Sequence, residues 1–241
     1  MTDRRACVLG ASGGIGAALV EALATSGDFA KIYAGSRSGF EPSRLKVESL
    51  NFNLADESTL AAAADRIGAE GPLDLILVAT GLLHRGTHIR PEKSYRELDA
   101  EVMAEIFSVN TIGPAIAAKY FLPLLHPRRR SVIAFLSARV GSIGDNRLGG
   151  WHSYRASKAA LNALVRCFSI ETRVRNRDAI AVALHPGTVD TSLSMPFQRN
   201  VPAGQLFSAE QGAAHLLDLI DGLTPAHSGG FFAWNGDPII Y

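Results

Sequence analysis

The strongest constraint on this chain is a break from a short apolar run, Cys7-Val8-Leu9, straight into Gly10-Ala11-Ser12-Gly13-Gly14-Ile15-Gly16. An apolar, alanine-rich segment follows, from Ala17 to Ala24. The pattern reads as a strand, a tight turn and a helix. Each glycine removes a Cβ where the backbone must turn sharply or approach a ligand closely. The first amides of the helix lack intrahelical partners and lie at its positive dipole end, so the turn is shaped to hold an anion such as a phosphate.

At 241 residues the chain is long enough to bury a large core, and α/β folds of this size form one domain, here expected to span residues 1–241. The net charge is +1, with 24 basic against 23 acidic residues, which leaves no electrostatic footprint for nucleic acid. Arg128-Arg129-Arg130 is the one basic cluster and reads as a solvated loop, with a phosphate or partner contact as the alternative. Cys7 and Cys167 fall in a predicted strand and a predicted helix, and read as buried thiols in a reducing compartment rather than as a disulfide. Arg4-Arg5 before an apolar run superficially suggests a signal peptide, but the glycines interrupt the run and Glu21 follows. No apolar stretch approaches the length of a membrane span, so a cytoplasmic protein without membrane contact is expected.

Short apolar or β-branched runs predict strands at 4–10, 31–35, 47–52, 73–79, 131–137, 179–184 and 230–234. They carry little alternation, as expected of strands covered on both faces. Helical patterns lie between them near 16–25, 58–67, 94–109, 113–125, 153–174 and 209–220. The alternation predicts an α/β fold: a single doubly wound, Rossmann-type parallel sheet of about seven strands with helices on both faces. In such folds ligands bind beyond the carboxyl ends of the strands, where the glycine turn lies.

A second feature is Tyr154-Arg155-Ala156-Ser157-Lys158, at the start of a long helical segment. Its spacing puts Tyr154 and Lys158 on one helix face, one turn apart. A nearby ammonium stabilises a phenolate and would lower the tyrosine pKa toward the range of a working acid-base group. A chance pairing on a solvated helix is the plainer alternative.

With these motifs the chain resembles the short-chain dehydrogenase/reductase family over nearly its whole length. Gly10, Gly14 and Gly16 take the glycine positions of the family's TGxxxGxG, with Leu9 replacing the threonine, and Tyr154 and Lys158 match its YxxxK. Asn110, in Val109-Asn110-Thr111, is similar to the asparagine of the family's proton relay, and His185-Pro186-Gly187-Thr188-Val189-Asp190-Thr191 resembles the segment that contacts the nicotinamide half of the cofactor. Gly141-Ser142-Ile143 and Trp234-Asn235-Gly236 look closest to the C-factor/sniffer-like carbonyl reductases. The resemblance implies an oxidoreductase that interconverts a carbonyl compound and its alcohol by hydride transfer, with Tyr154 as general acid-base. Lys158 would lower the tyrosine pKa and hold the nicotinamide ribose. Asn110 would hold a water linking Lys158 to solvent, its alternative being a helix-breaking cap.

The same resemblance implies that Ser12, Gly13 and Ile15, with the three matched glycines, surround the pyrophosphate. Ala79, Thr80 and Gly81 would flank the adenine ribose, and Asn53 and Leu54 the adenine, with an ordinary turn as the alternative for Asn53. Pro186, Gly187, Val189 and Thr191 would meet the nicotinamide half. Ser36-Arg37 stands where an acid would favour NAD; Arg37 would pair with a 2′-phosphate and Ser36 add a hydrogen bond, so NADP(H) is the expected cofactor. A solvated or adenine-stacked Arg37 is the alternative.

One departure concerns the catalytic serine. The family's Ser-Ser-x-x-Gly reads Ser137-Ala138-Arg139-Val140-Gly141 here, which puts Ala138 at the second serine's place. Ser137 is the favoured substitute, with Ser142 a second candidate that would also contact substrate. The stretch 191–207, with Met195, Phe197 and Leu206, is expected to form a mobile lid; Leu148, Trp151 and His152 would line the opposite wall. These apolar groups suggest a ketone or aldehyde with an apolar body. His84, His88 and His126 lack ligand spacing, so no metal is expected. The helical stretches 94–125 and 153–174 resemble those through which the family forms homodimers and homotetramers. A cofactor-binding signalling protein with vestigial catalysis is the alternative reading.

Overall fold

The computed structural model describes residues 3–41 and 44–241. Seven parallel strands form one sheet: β1 (Arg5–Leu9), β2 (Lys31–Ser36), β3 (Val47–Asn51), β4 (Leu75–Val78), β5 (Ser131–Leu136), β6 (Ala179–His185) and, after a small separate pair, β9 (Phe231–Ala233). Their order is β3-β2-β1-β4-β5-β6-β9. The small pair is β7 (Thr188–Val189) with β8 (Leu206–Phe207), which frames the predicted lid.

The central strands are largely apolar because their residues alternate between two covered faces, whereas the edge strand β3 carries Glu48, Ser49 and Asn51. Cys7 and Leu9 pack with α2 (Glu57–Gly68), α4 (Gly113–Phe121) and α5 (His152–Arg175). Ala6 and Val8 pack on the opposite side with α1 (Gly14–Ser26) and α6 (Ala209–Gly222). The expected doubly wound sheet is therefore the observed one. Its order reverses between β1 and β4, which opens a crevice at their carboxyl ends.

Several local departures have physical causes. The helix expected over 94–109 is broken: a 3-10 turn at Tyr95–Glu97 precedes α3 (Ala100–Phe107), whose start is capped by the Asp99 carboxylate. A π turn at Ser108–Ile112 then joins α3 to α4. The helix expected over 113–125 tightens into a 3-10 turn at Leu122–Leu124, which contains Pro123. Cys7 is buried as expected, but Cys167 is exposed. Leu161, Val165, Ser169 and Thr172 face inward on α5, and residue 167 falls on the other side of that helix.

The arginine cluster is also not simply solvated. Arg129 donates two hydrogen bonds to the Asp74 carboxylate, at 2.6 and 3.0 Å, and another to Asp3. Arg130 donates to the carbonyls of Leu223 and Ile220 at the end of α6. The cause is Asp74, which is only 3% exposed and requires a compensating cation. Its carboxylate also accepts the Arg5 amide at 2.9 Å. No helix among the described residues is long and apolar enough to cross a membrane.

Removing the Asp74 carboxylate leaves Arg129 and the Arg5 amide without their shared acceptor. Asp74→Ala should destabilise the fold by about 3 kcal/mol in urea denaturation, in line with broken buried pairs. Asp74→Asn, which keeps an acceptor oxygen, should lose clearly less.

Candidate active site

At the end of β1 the chain turns under a severe steric limit. Gly10 has φ +97°, and a Cβ there would lie 2.9 Å from the Ala79 carbonyl carbon at the end of β4. A Cβ on Gly16 would sit 2.1 Å from the Gly10 carbonyl oxygen. Both positions exclude a side chain, and they bring the α1 N-terminus against the crevice. No side chain caps that end and its first turn holds no acid. Its first amides are thus available to an anion.

Three cavities line the crevice in succession. The first, of about 460 Å³, is walled by Ser12, Ser36, Arg37, Asn53 and Leu54 and shares Gly13, Ala79, Thr80 and Gly81 with the second. The second, about 200 Å³, adds Gly14, Ile15, Gly16, Ser137, Tyr154, Lys158 and Thr191. The third, about 330 Å³, is mostly apolar and joins Tyr154 to Ala138, Trp151, His185, Leu193 and Phe197, with Gly187 and Val189 also on its wall. A separate hollow of about 380 Å³ lies around Leu125, His126 and Ala179, at the opposite end of the sheet, with none of these groups.

Within the crevice, Lys158 is 2% exposed and donates to the Leu136 carbonyl at 2.8 Å. Its Nζ lies 5.9 Å from the centre of the Tyr154 ring. Burial lowers Lys158 to about 8. Burial also raises the Tyr154 phenol, opposite to the direction expected from its lysine neighbour. In the protein alone both groups have lost water, and that outweighs their mutual attraction.

Asn110 sits fully buried in the π turn. Its Nδ2 donates to the Leu82 carbonyl at 2.8 Å and to Ser157 Oγ at 3.1 Å, while Oδ1 accepts the Leu82 amide at 2.7 Å. The side chain therefore clasps the segment after β4. Asn53 Oδ1 accepts the Ala55 amide at 3.1 Å in a tight turn on the wall of the first cavity. Ser36 donates to the Gly39 carbonyl at 2.7 Å, and Arg37 is exposed on the cavity wall. Thr80 Oγ1 is sealed from water without a partner.

The serine candidates separate cleanly. Ser137 lies in the second cavity, where its hydroxyl donates to Asn162 Oδ1 at 2.7 Å. Ala138 faces the third cavity. Ser142 is a correction: it donates to the Ile240 carbonyl, accepts the Asp145 amide at 3.0 Å, and lines none of the three cavities because the C-terminal segment engages it. Leu148, 91% exposed on a bend, and Met195, 63% exposed at the start of a 3-10 helix, also lie outside the three cavity walls. Pro186 forms the turn from β6 into β7, between His185 and Gly187.

The aromatic wall is continuous. Trp151 packs edge-on against Tyr154 at 6.3 Å and against Phe197 at 4.9 Å, and His84 closes on Phe197 at 5.7 Å. His84 Nε2 also meets the Ser192 carbonyl at 3.0 Å.

Sequence reasoning missed Glu92 and Asn162, and met His185 only as the first residue of the segment resembling a cofactor contact. Glu92 is 4% exposed and caps α5 from outside: both its oxygens lie 3.3 Å from the Ser153 amide, and Ser153 Oγ donates to the same carboxylate. The Glu92 carbonyl accepts the amide of Trp151, which is held at φ +51°. No local motif announces a cap supplied from 61 residues away. Among the described residues no group of histidine, cysteine and acidic side chains could hold a metal.

The family model described as short chain dehydrogenase matches residues 4–202. The chain is 36% identical over 143 residues to the C-signal protein of Myxococcus xanthus, a match covering 59% of this chain and 81% of the relative. It is 32% identical over 181 residues to 1-hydroxy-2-glutathionyl-2-methyl-3-butene dehydrogenase of Rhodococcus sp. (strain AD45), covering 74% of each. Its fold superposes on an NADPH-bound carbonyl reductase from chicken fatty liver with a TM-score of 0.83, at 26% identity and across 100% of both chains.

The depressed Lys158 pKa has a consequence for stability. Between about pH 8 and the ordinary lysine value of 10.5, the unfolded chain holds a proton that folded Lys158 has released. Stability from this group should therefore rise with pH across that window and be lowest below it. Urea midpoints of the wild type should climb relative to Lys158→Met from pH 8 to 10. Parallel curves would contradict the shift.

Proposed function

The chain belongs to the short-chain dehydrogenase family, and we propose that within it the protein is an NADPH-dependent reductase that interconverts an apolar ketone or aldehyde with its alcohol. One observation carries the reading: Tyr154 stands where a crevice shaped for phosphate meets an apolar cavity. The NADPH-bound structural relative supports it.

The residues present suit a dinucleotide. The side-chain-free approach at Gly10 and Gly16, the uncapped α1 end and the unpartnered Thr80 hydroxyl all suit a ligand rich in phosphate and hydroxyl oxygens. Ser12, Gly13, Gly14 and Ile15 would hold the pyrophosphate. Ala79, Thr80 and Gly81 would bound the adenine ribose, with Asn53 and Leu54 beside the adenine. Pro186, Gly187, Val189 and Thr191 would bound the nicotinamide half. Arg37 would pair with a 2′-phosphate, and Ser36, already donating to Gly39, retains lone pairs to accept from a neighbouring donor. When bound, the nicotinamide supplies the hydride.

The chain's own residues then handle the proton. Tyr154 Oη gives its proton to the carbonyl oxygen in reduction and takes one in oxidation. Desolvation alone holds the phenol protonated, which suits the acid; Lys158 as an ammonium would stabilise the phenolate left behind. Asn110 holds Leu82 and Ser157 in register around that pair. Leu83, Trp151 and Phe197 exclude water from the cavity that would take the substrate's apolar body. Ala138 keeps a second reading in view, a signalling protein with weak chemistry, as does the similarity to C-signal.

Exposed Cys167, Ile170 and Val174 on α5 also support assembly into a homodimer or homotetramer through that helix. Light scattering should return two or four times the monomer mass.

A screen of NADPH oxidation over aldehydes and ketones tests the reading. Tyr154→Phe should lower kcat by about 10²–10⁴, the range for a general acid, while NADPH still binds. Arg37→Glu should weaken NADPH far more than NADH. Tight NADPH binding without any Tyr154-dependent turnover would favour the signalling reading, and equal preference for NADH would remove the role given to Arg37.

A further inference from the structure

The third cavity places a histidine where a serine hydroxyl is missing. Ala138 brings no polar atom to the wall beside Tyr154. The two nearby serines are engaged, Ser137 with Asn162 and Ser142 with Ile240. Of the polar side chains that the ends of β5 and β6 bring to this cavity, Arg139 is paired with Asp145 at 2.6 Å. His185 is the other. Its Nδ1 is sealed from water with no hydrogen-bond partner.

The register puts His185 at the chemistry. Leu136 and Leu184 face each other across β5 and β6, so Ser137 and His185 lie side by side one step further on. Two residues back, Phe135 and Ala183 pack with Leu161 of α5, the helix that carries Tyr154. The imidazole thus stands on the Tyr154 side of the sheet. Its protonation follows from its surroundings. Burial, with Arg139 adding repulsion, lowers His185 to about 4, so the ring is neutral near pH 7 and carries one N–H. A buried N–H without an acceptor is costlier than a buried lone pair, so the proton belongs on Nε2 and not on the sealed Nδ1.

We propose that His185 Nε2–H donates the hydrogen bond to the substrate's carbonyl oxygen that a serine at position 138 would otherwise give, alongside the proton from Tyr154. The inference rests on the reductase reading above. His185 remains neutral throughout: it stabilises the oxygen as charge builds there, and Tyr154 alone transfers a proton.

The test measures turnover of a ketone or aldehyde from the screen, with NADPH binding followed separately by nucleotide fluorescence. His185→Leu should lower kcat by about 10²-fold, the cost of one such donor, with the NADPH Kd within about threefold of the wild type. Ala138→Ser should raise turnover at least tenfold in the His185→Leu background and by a clearly smaller factor in the wild type. Turnover of His185→Leu within threefold of the wild type would overturn the proposal. So would an equal effect of Ala138→Ser in both backgrounds. Should His185→Leu fail to bind NADPH, His185→Gln and His185→Met decide: the amide keeps a donor and should stay active, whereas the thioether has none and should not. Equal rates for those two overturn the histidine's role. Wild-type turnover that survives Tyr154→Phe would overturn the reductase chemistry itself, an outcome that the His185 variants do not produce.

Discussion

The architecture depends on how closely β1 and β4 approach at their carboxyl ends. The gap at Gly10 leaves no room for a Cβ against Ala79, and that contact sets where α1 begins and where β4 releases the chain into Thr80 and Gly81. The crevice follows from it, because the strand order reverses between these two strands and helices lie on both faces. A side chain at that point would push the α1 N-terminus off the cleft and separate the anion site from the apolar cavity it adjoins.

What can be read from the sequence divides along the range of the interaction. Lys158 follows Tyr154 by one helical turn, so their juxtaposition is local and legible, as is the glycine turn between one strand and one helix. The central strands are legible because burial on both faces leaves them few polar positions. The β7–β8 pair is too short to leave a pattern, and the π turn at Ser108–Ile112 follows from packing around Asn110 rather than from propensity. Glu92, Asn162 and the polar role of His185 escape the sequence for a common reason. Each takes its place from a partner element distant in sequence, and each is an ordinary residue in its own neighbourhood.

The same division explains the corrected serine. Sequence alignment compares residue types at positions, whereas a hydroxyl is useful only in the direction of its proton. Ser137 is in the cleft but donates to Asn162, so being in place and being unpartnered are different properties here. Asn110 offers a parallel case, with its amide occupied by Leu82 and Ser157. Among the described residues few buried polar side-chain atoms lack a partner: His185 Nδ1 and Thr80 Oγ1, together with His152 Nδ1, Asn162 Nδ2 and His215 Nδ1.

The outside cap on α5 bears on how the molecule comes together in time. A helix that supplies its own cap can complete its first turn while the rest of the chain is still searching. Here the first turn waits for a loop 61 residues upstream to dock, and closing a loop of that length is a slow, tertiary event. Tyr154 lies in that first turn, so the catalytic residue is ordered only when two distant parts of the chain have met. The nucleotide crevice also needs a long-range contact, Gly10 against Ala79, but both of those residues precede Glu92 in the chain. A nascent chain would therefore acquire the shape that holds a phosphate before it acquires the group that moves a proton.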